Sequence, residues 1–202
     1  MRVVAIVLAA GAATRFGSAK QLASLDGRPL LQHPLDALAV AGIDDVVVVL
    51  GAQAAAIEEA IAWRTERRLV NPRPEDGLAS SLRVGLDAAA EDPAAKAALI
   101  VLGDQPSIRA DVVRAVVDAA RATDRPIVRP RYSGDGAPNP VLVRREAWPL
   151  AAGIDGDRGL GPLLAQRPDL VHELPVEGAI PDVDTPADLA ALESATAAEA
   201  TR

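Results

Sequence analysis

Apolar residues in this chain come in short unbroken runs rather than alternating with polar ones. Val3 to Leu8, Val46 to Leu50, Ala98 to Leu102, Ile127 to Val128 and Val141 to Val143 are apolar at consecutive positions, which is the pattern of strands covered on both faces. Between these runs the periodicity predicts helices over Pro29 to Ala41, Gln53 to Trp63, Ser80 to Ala90, Ala110 to Ala122 and Pro186 to Ala197. Strands that alternate with helices predict a mostly parallel sheet with helices on both sides, an α/β fold of three layers, α/β/α. His172, in the run LVHELPV, is expected in a further strand. Gly and Pro punctuate Gly134 to Pro140 and predict a mobile loop. The Ala- and Glu-rich tail from Glu193 to Arg202 is expected to end a helix and then fray.

Composition narrows this picture. A chain of 202 residues, 50% apolar, is long enough for one well-buried core and short for two, so residues 1–202 are expected to form one domain. A formal net charge of -7 repels a phosphate polymer, and no nucleic-acid partner is expected. The absence of cysteine removes disulfides, thiolate nucleophiles and sulfur-ligated metals. Met1 and Arg2 followed by an apolar run and small residues have the outline of a short secretory leader. Cleavage there, however, would delete the first predicted strand. No segment approaches the ~20 apolar residues of a membrane span, so the expectation is a soluble, cytoplasmic protein with no membrane partner.

In open α/β sheets ligands sit beyond the carboxyl ends of the strands. The residues at those points are Leu8-Ala9-Ala10-Gly11, Gly51, Gly103-Asp104-Gln105-Pro106, and Arg129 and Arg131. Ala9 to Ala13 have almost no side chain, so a ligand could approach the main chain there and be held by successive N–H groups, which suits an anion. Arg15 and Lys20 would add fixed positive charge, one as a planar fork and one as a point charge. The alternative is an ordinary strand-to-helix loop with two solvated cations. A Walker loop is excluded because Gly17 is followed by Ser18-Ala19-Lys20, and a dinucleotide fingerprint because Gly11 is followed by Ala12 and Ala13. Asp104 and Asp184 are candidate ligands of a divalent cation, with Asp182 competing for the second place. Their other reading is turn former for Asp104 and helix N-cap for Asp184. His33 and His172 have no second ligand at metal spacing and are read as structural. Ser80 and Ser81 lack a nucleophile elbow and read as helix caps. Trp63 and Trp148 are expected to pack.

The stretch LAAGAATRFGSAKQL resembles the signature of nucleotidyltransferases that join a nucleoside triphosphate to a phosphorylated acceptor. The similarity is greatest to the MobA-like branch, which includes molybdenum cofactor cytidylyltransferases and guanylyltransferases. Four more segments fall in that family's order: NPRPEDGLASSLRVGL, LGDQP, GDRGLGPLLA and DVDTPADL. The resemblance thus covers nearly the whole chain and implies a Rossmann-like nucleotidyltransferase fold.

By that resemblance Leu8, Ala9, Ala10, Gly11, Arg15, Lys20, Ser80, Ser81 and Arg83 hold the nucleotide. Arg15, Lys20 and Asp104 form the catalytic group, and Asp104 with Asp184 binds Mg2+. Asn139, Asp157, Arg158 and Gly159 meet the acceptor. Implied substrates are CTP or GTP and molybdopterin or a related phosphorylated cofactor, with a molybdoenzyme as onward partner. Ala10 is more like the cytidylyl-transferring members and implies CTP over GTP.

The chain departs from the pattern where Asn139 stands for a common His and Gly161 for a common Arg, both on the acceptor side. The competing readings are a guanylyltransferase, a sugar-phosphate nucleotidyltransferase, and, from another class, a silent nucleotide-binding chaperone that delivers a cofactor.

Overall fold

A computed structural model describes residues 1–11, 16, 19–134, 138–157 and 159–200, the last five through their backbone. Strand β1 (Arg2–Ala9) is an interior strand of a seven-stranded sheet, with β4 (Val46–Leu50) and β6 (Ala95–Leu102) hydrogen-bonded to it in parallel on either side. Beyond β4 comes β5 (Arg67–Val70). Beyond β6 come β8 (Val141–Arg144), β7 (Ile127–Tyr132) and β9 (Val171–Val176). Among the described strands of this sheet only β8 runs against the others. The sheet is therefore mostly parallel, as the unbroken apolar runs predict.

Successive β1 residues point to opposite faces. Val3, Ala5 and Val7 pack with α1 (Gln32–Ala41), α2 (Ala54–Ala60) and α4 (Ala110–Ala122). Val4, Ile6 and Leu8 pack with α3 (Leu78–Ala90), α5 (Trp148–Ala152) and α6 (Gly161–Gln166). Every β1 position from Val3 to Ala9 is buried, which is the physical reason the run carries no polar alternation. α3 comes unusually close to the sheet: a Cβ on Gly85 would lie 2.3 Å from Ile6 Cγ2. Glycine at that position is a packing requirement.

Several predicted boundaries are corrected. The first helix starts at Gln32, because Arg28–Pro29 (β3) pairs with Ser24–Leu25 (β2) across an Asp26-Gly27 turn in the left-handed region. β7 extends four residues past Val128 to Tyr132. β5 lacks an apolar run because it is an edge strand bearing Arg67 and Arg68. α7 (Pro186–Ala200) does not stop at Ala197; Ala and Glu favour helix continuation. Trp148 is buried, its indole N–H donating to Val143 O, while Trp63 packs at the margin of the core. His33 lies inside α1, its Nε2 3.1 Å from Leu25 O, and His172 lies in β9. Among the described residues no helix is long and apolar enough to cross a membrane.

Candidate active site

The carboxyl ends of β1, β4 and β6 meet closely. A Cβ on Gly51 would sit 2.5 Å from Ala10 O, so only glycine lets the chain leaving β4 pass the end of β1. Gly103 N donates to Leu8 O at 2.9 Å, which brings Asp104 alongside the same strand end. Leu8, Ala9 and Ala10 are buried, whereas Gly11 is exposed, with open space where its Cβ would be. The bare backbone expected after β1 is therefore accessible at Gly11. Arg15 and Gly17 lie outside the described residues.

Lys20 opens a 3-10 turn (Lys20–Leu22) that folds back over this point. The next residue, Gln21, is buried and donates from Nε2 to Ala9 O at 3.0 Å and Gly11 O at 3.4 Å, pinning the turn to the strand end. Lys20 Nζ donates to Asp104 Oδ2 at 2.7 Å and to Asp184 Oδ1 at 2.9 Å. Three segments far apart in sequence thus converge on one ammonium. Burial alone would lower the Lys20 pKa, but the charge and hydrogen bond of Asp104, then those of Asp184, outweigh it and raise it. Lys20 stays charged.

Thr185 caps α7: its Oγ1 accepts from Asp188 N, while Asp188 Oδ2 accepts from Thr185 N, a reciprocal box. The Asp184 side chain is therefore not the N-cap and turns to Lys20. Asp104 makes its side-chain bond with Lys20 rather than with a local backbone amide, and its Oδ1 is buried with no hydrogen-bond partner. An orphaned carboxylate oxygen beside a second carboxylate fits a hard divalent cation. Magnesium takes oxygen ligands and commonly one or two carboxylates from protein. Among the described residues no cluster of three or more His, Cys, Asp or Glu forms a fuller cage.

Asp182, an exposed residue, is held by a different partner. Its Oδ1 accepts from Gln105 Nε2 at 2.5 Å, and Gln105 is fully buried. Partial desolvation of its carboxyl raises the Asp182 pKa, the Gln105 hydrogen bond opposes this, and repulsion from Asp104 and Asp184 adds to the rise, leaving it above the ordinary value. Val183 N reaches Asp104 O at 3.3 Å, and its buried side chain packs with Leu25 and Leu30. The segment carrying Asp184 is fixed by these contacts.

The remaining candidates cluster on α3. Asn71 Nδ2 donates to Ser80 Oγ at 2.7 Å and Ser81 Oγ at 3.0 Å, and Ser80 Oγ lies 2.7 Å from its acceptor Gly77 O. Both hydroxyls therefore fasten the loop ahead of α3. Arg83 donates to Ile154 O at 2.7 Å and reaches Asp155, so its guanidinium braces the segment after α5. Asp157 Oδ1 accepts from Leu78 N at 3.3 Å, and Ala79 N donates to Gly156 O. The acceptor-side loop is docked on the amino end of α3, and two amides that could have faced an anion are used internally. Arg158 lies outside the described residues. Arg129 and Arg131 are both drawn to Glu173.

Between α3, α6 and the ends of β1 and β6 is a cavity of about 180 Å³ lined by Leu8, Leu82, Leu102, Asn139, Gly159 and Leu160, among others. Its walls are mostly apolar. Asn139 is buried, and its carbonyl accepts from Tyr132 Oη at 2.9 Å. Gln21, Asn71 and Gln105 carry no chemistry of their own and escaped sequence reasoning. The available signal was an amide side chain beside each motif, at a position the fold buries.

Residues 5–171 match the MobA-like NTP transferase domain. The chain belongs to that family. Among relatives, nicotine blue oxidoreductase of Paenarthrobacter nicotinovorans is 32% identical over 193 residues, covering 91% of this chain and 92% of that one. The bifunctional protein GlmU of Geobacter metallireducens is 38% identical over 121 residues, but the match spans only 25% of its length. Rv0371c from Mycobacterium tuberculosis H37Rv superposes with a TM-score of 0.85 at 34% identity, covering 96% of this chain and 98% of that one. A second crystal structure of Rv0371c, in complex with manganese, gives 0.81 at 32% identity, covering 96% and 99%. Family and fold thus agree with the motifs, and one close structural relative has been crystallised with a divalent metal.

Proposed function

We propose that this MobA-like protein transfers a nucleotidyl group from a nucleoside triphosphate, CTP in preference to GTP, to a phosphorylated acceptor, with molybdopterin or a related cofactor as the leading candidate. The observation that carries the reading is the meeting of Lys20, Asp104 and Asp184 beside the open backbone of Gly11, with one Asp104 oxygen buried and unpaired. Oxygen of the acceptor phosphate attacks the α-phosphorus, the bond to the β-phosphate oxygen breaks, and pyrophosphate leaves. Repulsion between these anions and their alignment make up most of the barrier.

Lys20 supplies positive charge to the triphosphate, together with Arg15 by family resemblance. Backbone at Gly11 lets the phosphates approach without a side chain in the way. Asp104 and Asp184 would hold Mg2+, which when bound neutralises charge on the phosphates. No side chain has to remove a proton, since a phosphate monoester is mostly ionised at neutral pH, with a second pKa of about 6. Asn139 and Gly159 line the cavity that receives the body of the acceptor, and Asp157 holds its rim to α3. A molybdoenzyme is the implied onward partner, and the cytoplasm the implied location.

The test is pyrophosphate detection with CTP or GTP, Mg2+ and a panel of phosphorylated acceptors. Release that requires both acceptor and metal, and that favours CTP, is the expected result. Release with GTP alone would reassign the base, and silence across the panel would remove the transferase reading.

A second reading is motivated by the name of the relative matched over 92% of its length, an oxidoreductase, together with the apolar cavity, which suits a flat ring. Under that reading an aromatic substrate changes redox state against an added electron donor or acceptor and no pyrophosphate appears. The converging carboxylates and Lys20 favour transfer.

A further inference from the structure

We propose that Lys20 is an internal counter-ion that keeps the divalent-metal position closed until a nucleoside triphosphate draws its ammonium away. The inference rests on the nucleotidyl-transfer reading for the location of the metal, and adds a second role to a residue otherwise assigned only to phosphate.

The ammonium lies 2.7 Å from Asp104 Oδ2 and 2.9 Å from Asp184 Oδ1, the two carboxylates best suited to a divalent ion. Its side chain is only 10% exposed, against 28% for Asp104 and 52% for Asp184. The charge is thus tucked under the carboxylates from the protein side. Magnesium demands oxygens at about 2.0–2.1 Å. An ammonium nitrogen in hydrogen-bond contact with the same oxygens would then be pressed against the ion, with like charges in a partly desolvated place. Both cations cannot keep these positions.

The lysine is able to move, because its head is a point charge with three donors on a flexible four-carbon stem. To leave the carboxylates it needs another acceptor of comparable charge. A triphosphate above Gly11 provides one. Metal entry and nucleotide entry are therefore positively coupled through one side chain, and the coupling is reciprocal in equilibrium binding. Empty enzyme has one of these two negative charges balanced by its own cation and takes up free metal poorly. The fixed anchoring of the turn by Gln21 to Ala9 and Gly11 leaves the exchange to the lysine side chain rather than to the loop.

The measurement is binding of Mn2+ alone, with no nucleotide, followed by the loss of the free-ion paramagnetic resonance signal and by titration calorimetry. The proteins compared are the full-length wild type, Lys20→Met and Lys20→Gln. The methionine keeps the apolar stem, and the glutamine keeps a donor without charge, so a folding defect in one leaves the other as a readout. Both variants are expected to bind Mn2+ roughly tenfold more tightly than wild type, the scale of one partly buried ion pair. The gain should vanish when Asp104→Asn is added.

Equal or weaker Mn2+ binding by both folded variants, or a gain that survives Asp104→Asn, overturns the inference. Its failure is distinguishable from failure of the functional reading. Pyrophosphate release by wild type with no gain in Mn2+ affinity removes the counter-ion role alone. A gain in Mn2+ affinity without pyrophosphate release under any acceptor keeps the counter-ion role and removes the transferase.

Discussion

Two aspartates in this molecule each face cationic side chains but differ in how far their oxygens are used. At Asp36, on α1, Oδ2 accepts from Arg28 at 2.7 Å, and Oδ1 accepts from Arg64 at 2.5 Å and Gln32 at 3.0 Å. Gln32 in turn accepts from Ala62 N. Every partner is used, and the cluster ties the β2–β3 ribbon, α1 and the segment after α2 together. At Asp104 one oxygen is spent on Lys20 and the other is buried and unpaired. A buried acceptor without a donor costs about 1–3 kcal/mol, so stability alone would not keep it. The contrast separates a structural staple from a place kept open for something else.

The sharpest way to break the comparison is to neutralise each acid. Asp104→Asn is expected to lower pyrophosphate release on the order of 100-fold, while the pairing of Lys20 with Asp184 that remains keeps the loss in urea unfolding to about 1 kcal/mol. If activity survives that substitution, the open oxygen is not part of the chemistry. Asp36→Ala should do the reverse, costing about 1–2 kcal/mol in urea unfolding and leaving turnover per folded molecule as it was. Gln21→Leu stands between the two, because it leaves Asp104 intact but frees the Lys20 turn from Ala9 and Gly11. Affinity for the nucleotide is expected to fall roughly tenfold, as for loss of an outer-shell support, with calorimetry as the readout.

Tyr132 offers a gentler test of the satisfied class. Its hydroxyl is half-buried and donates to Asn139 O. Burial pushes its pKa up to about 12 from 10.0, with Arg109 opposing and Asp111 assisting. It is the single tyrosine in the chain, so phenolate absorbance reports it alone. A folded pKa above the unfolded one means that the contribution to stability is complete below pH 10.0 and is lost as pH rises toward about 12. Phenolate appearing near pH 10.0 in still-folded protein would contradict the burial.

The smallest effect is expected from the acid titration of Asp36. Burial acts to raise its pKa, but the hydrogen bonds from Arg64 and Gln32 and the charges of Arg64 and Arg28 outweigh it, so the folded value lies below 3.8. A depressed folded pKa gives stability that is present above 3.8 and lost as pH falls through the folded value. Wild type should therefore lose slightly more stability than Asp36→Asn over that acid range, read by urea midpoints.

Legibility in the sequence followed burial. Val3–Leu8 and Val46–Leu50 were readable as strands because both faces of the central sheet are covered, and that leaves no polar position to confuse the period. Arg67–Val70 was not, since an edge strand is allowed charges. The predicted first helix starts too early because Pro29 reads as continuous with the apolar residues that follow, whereas it belongs to β3. The Asp26-Gly27 pair, a strong hairpin signal, would have corrected this. Asp104 and Asp184 were legible as candidates through their motifs. Their alternative duties could not be decided from spacing, because it takes the fold to show that Thr185 fills the cap at α7. Arg83 looked like a nucleotide contact, yet whether a helix cation meets solvent, ligand or a neighbouring loop depends on what packs beside it, here the carbonyl of Ile154.

By itself the sequence determined the layering, the order of strand and helix, and the positions along the chain at which the central strands end, because each follows from local periodicity and from the burial of both sheet faces. Only the tertiary structure decided which distant groups share one point in space. Lys20, Asp104 and Asp184 are separated by scores of residues, and their meeting depends on β1, β6 and the approach to α7 ending together. No local pattern encodes such a distance. It emerges from the packing of Gly51 and Gly103 against the end of β1 and of Val183 against Leu25 and Leu30, and that packing holds the charges in place.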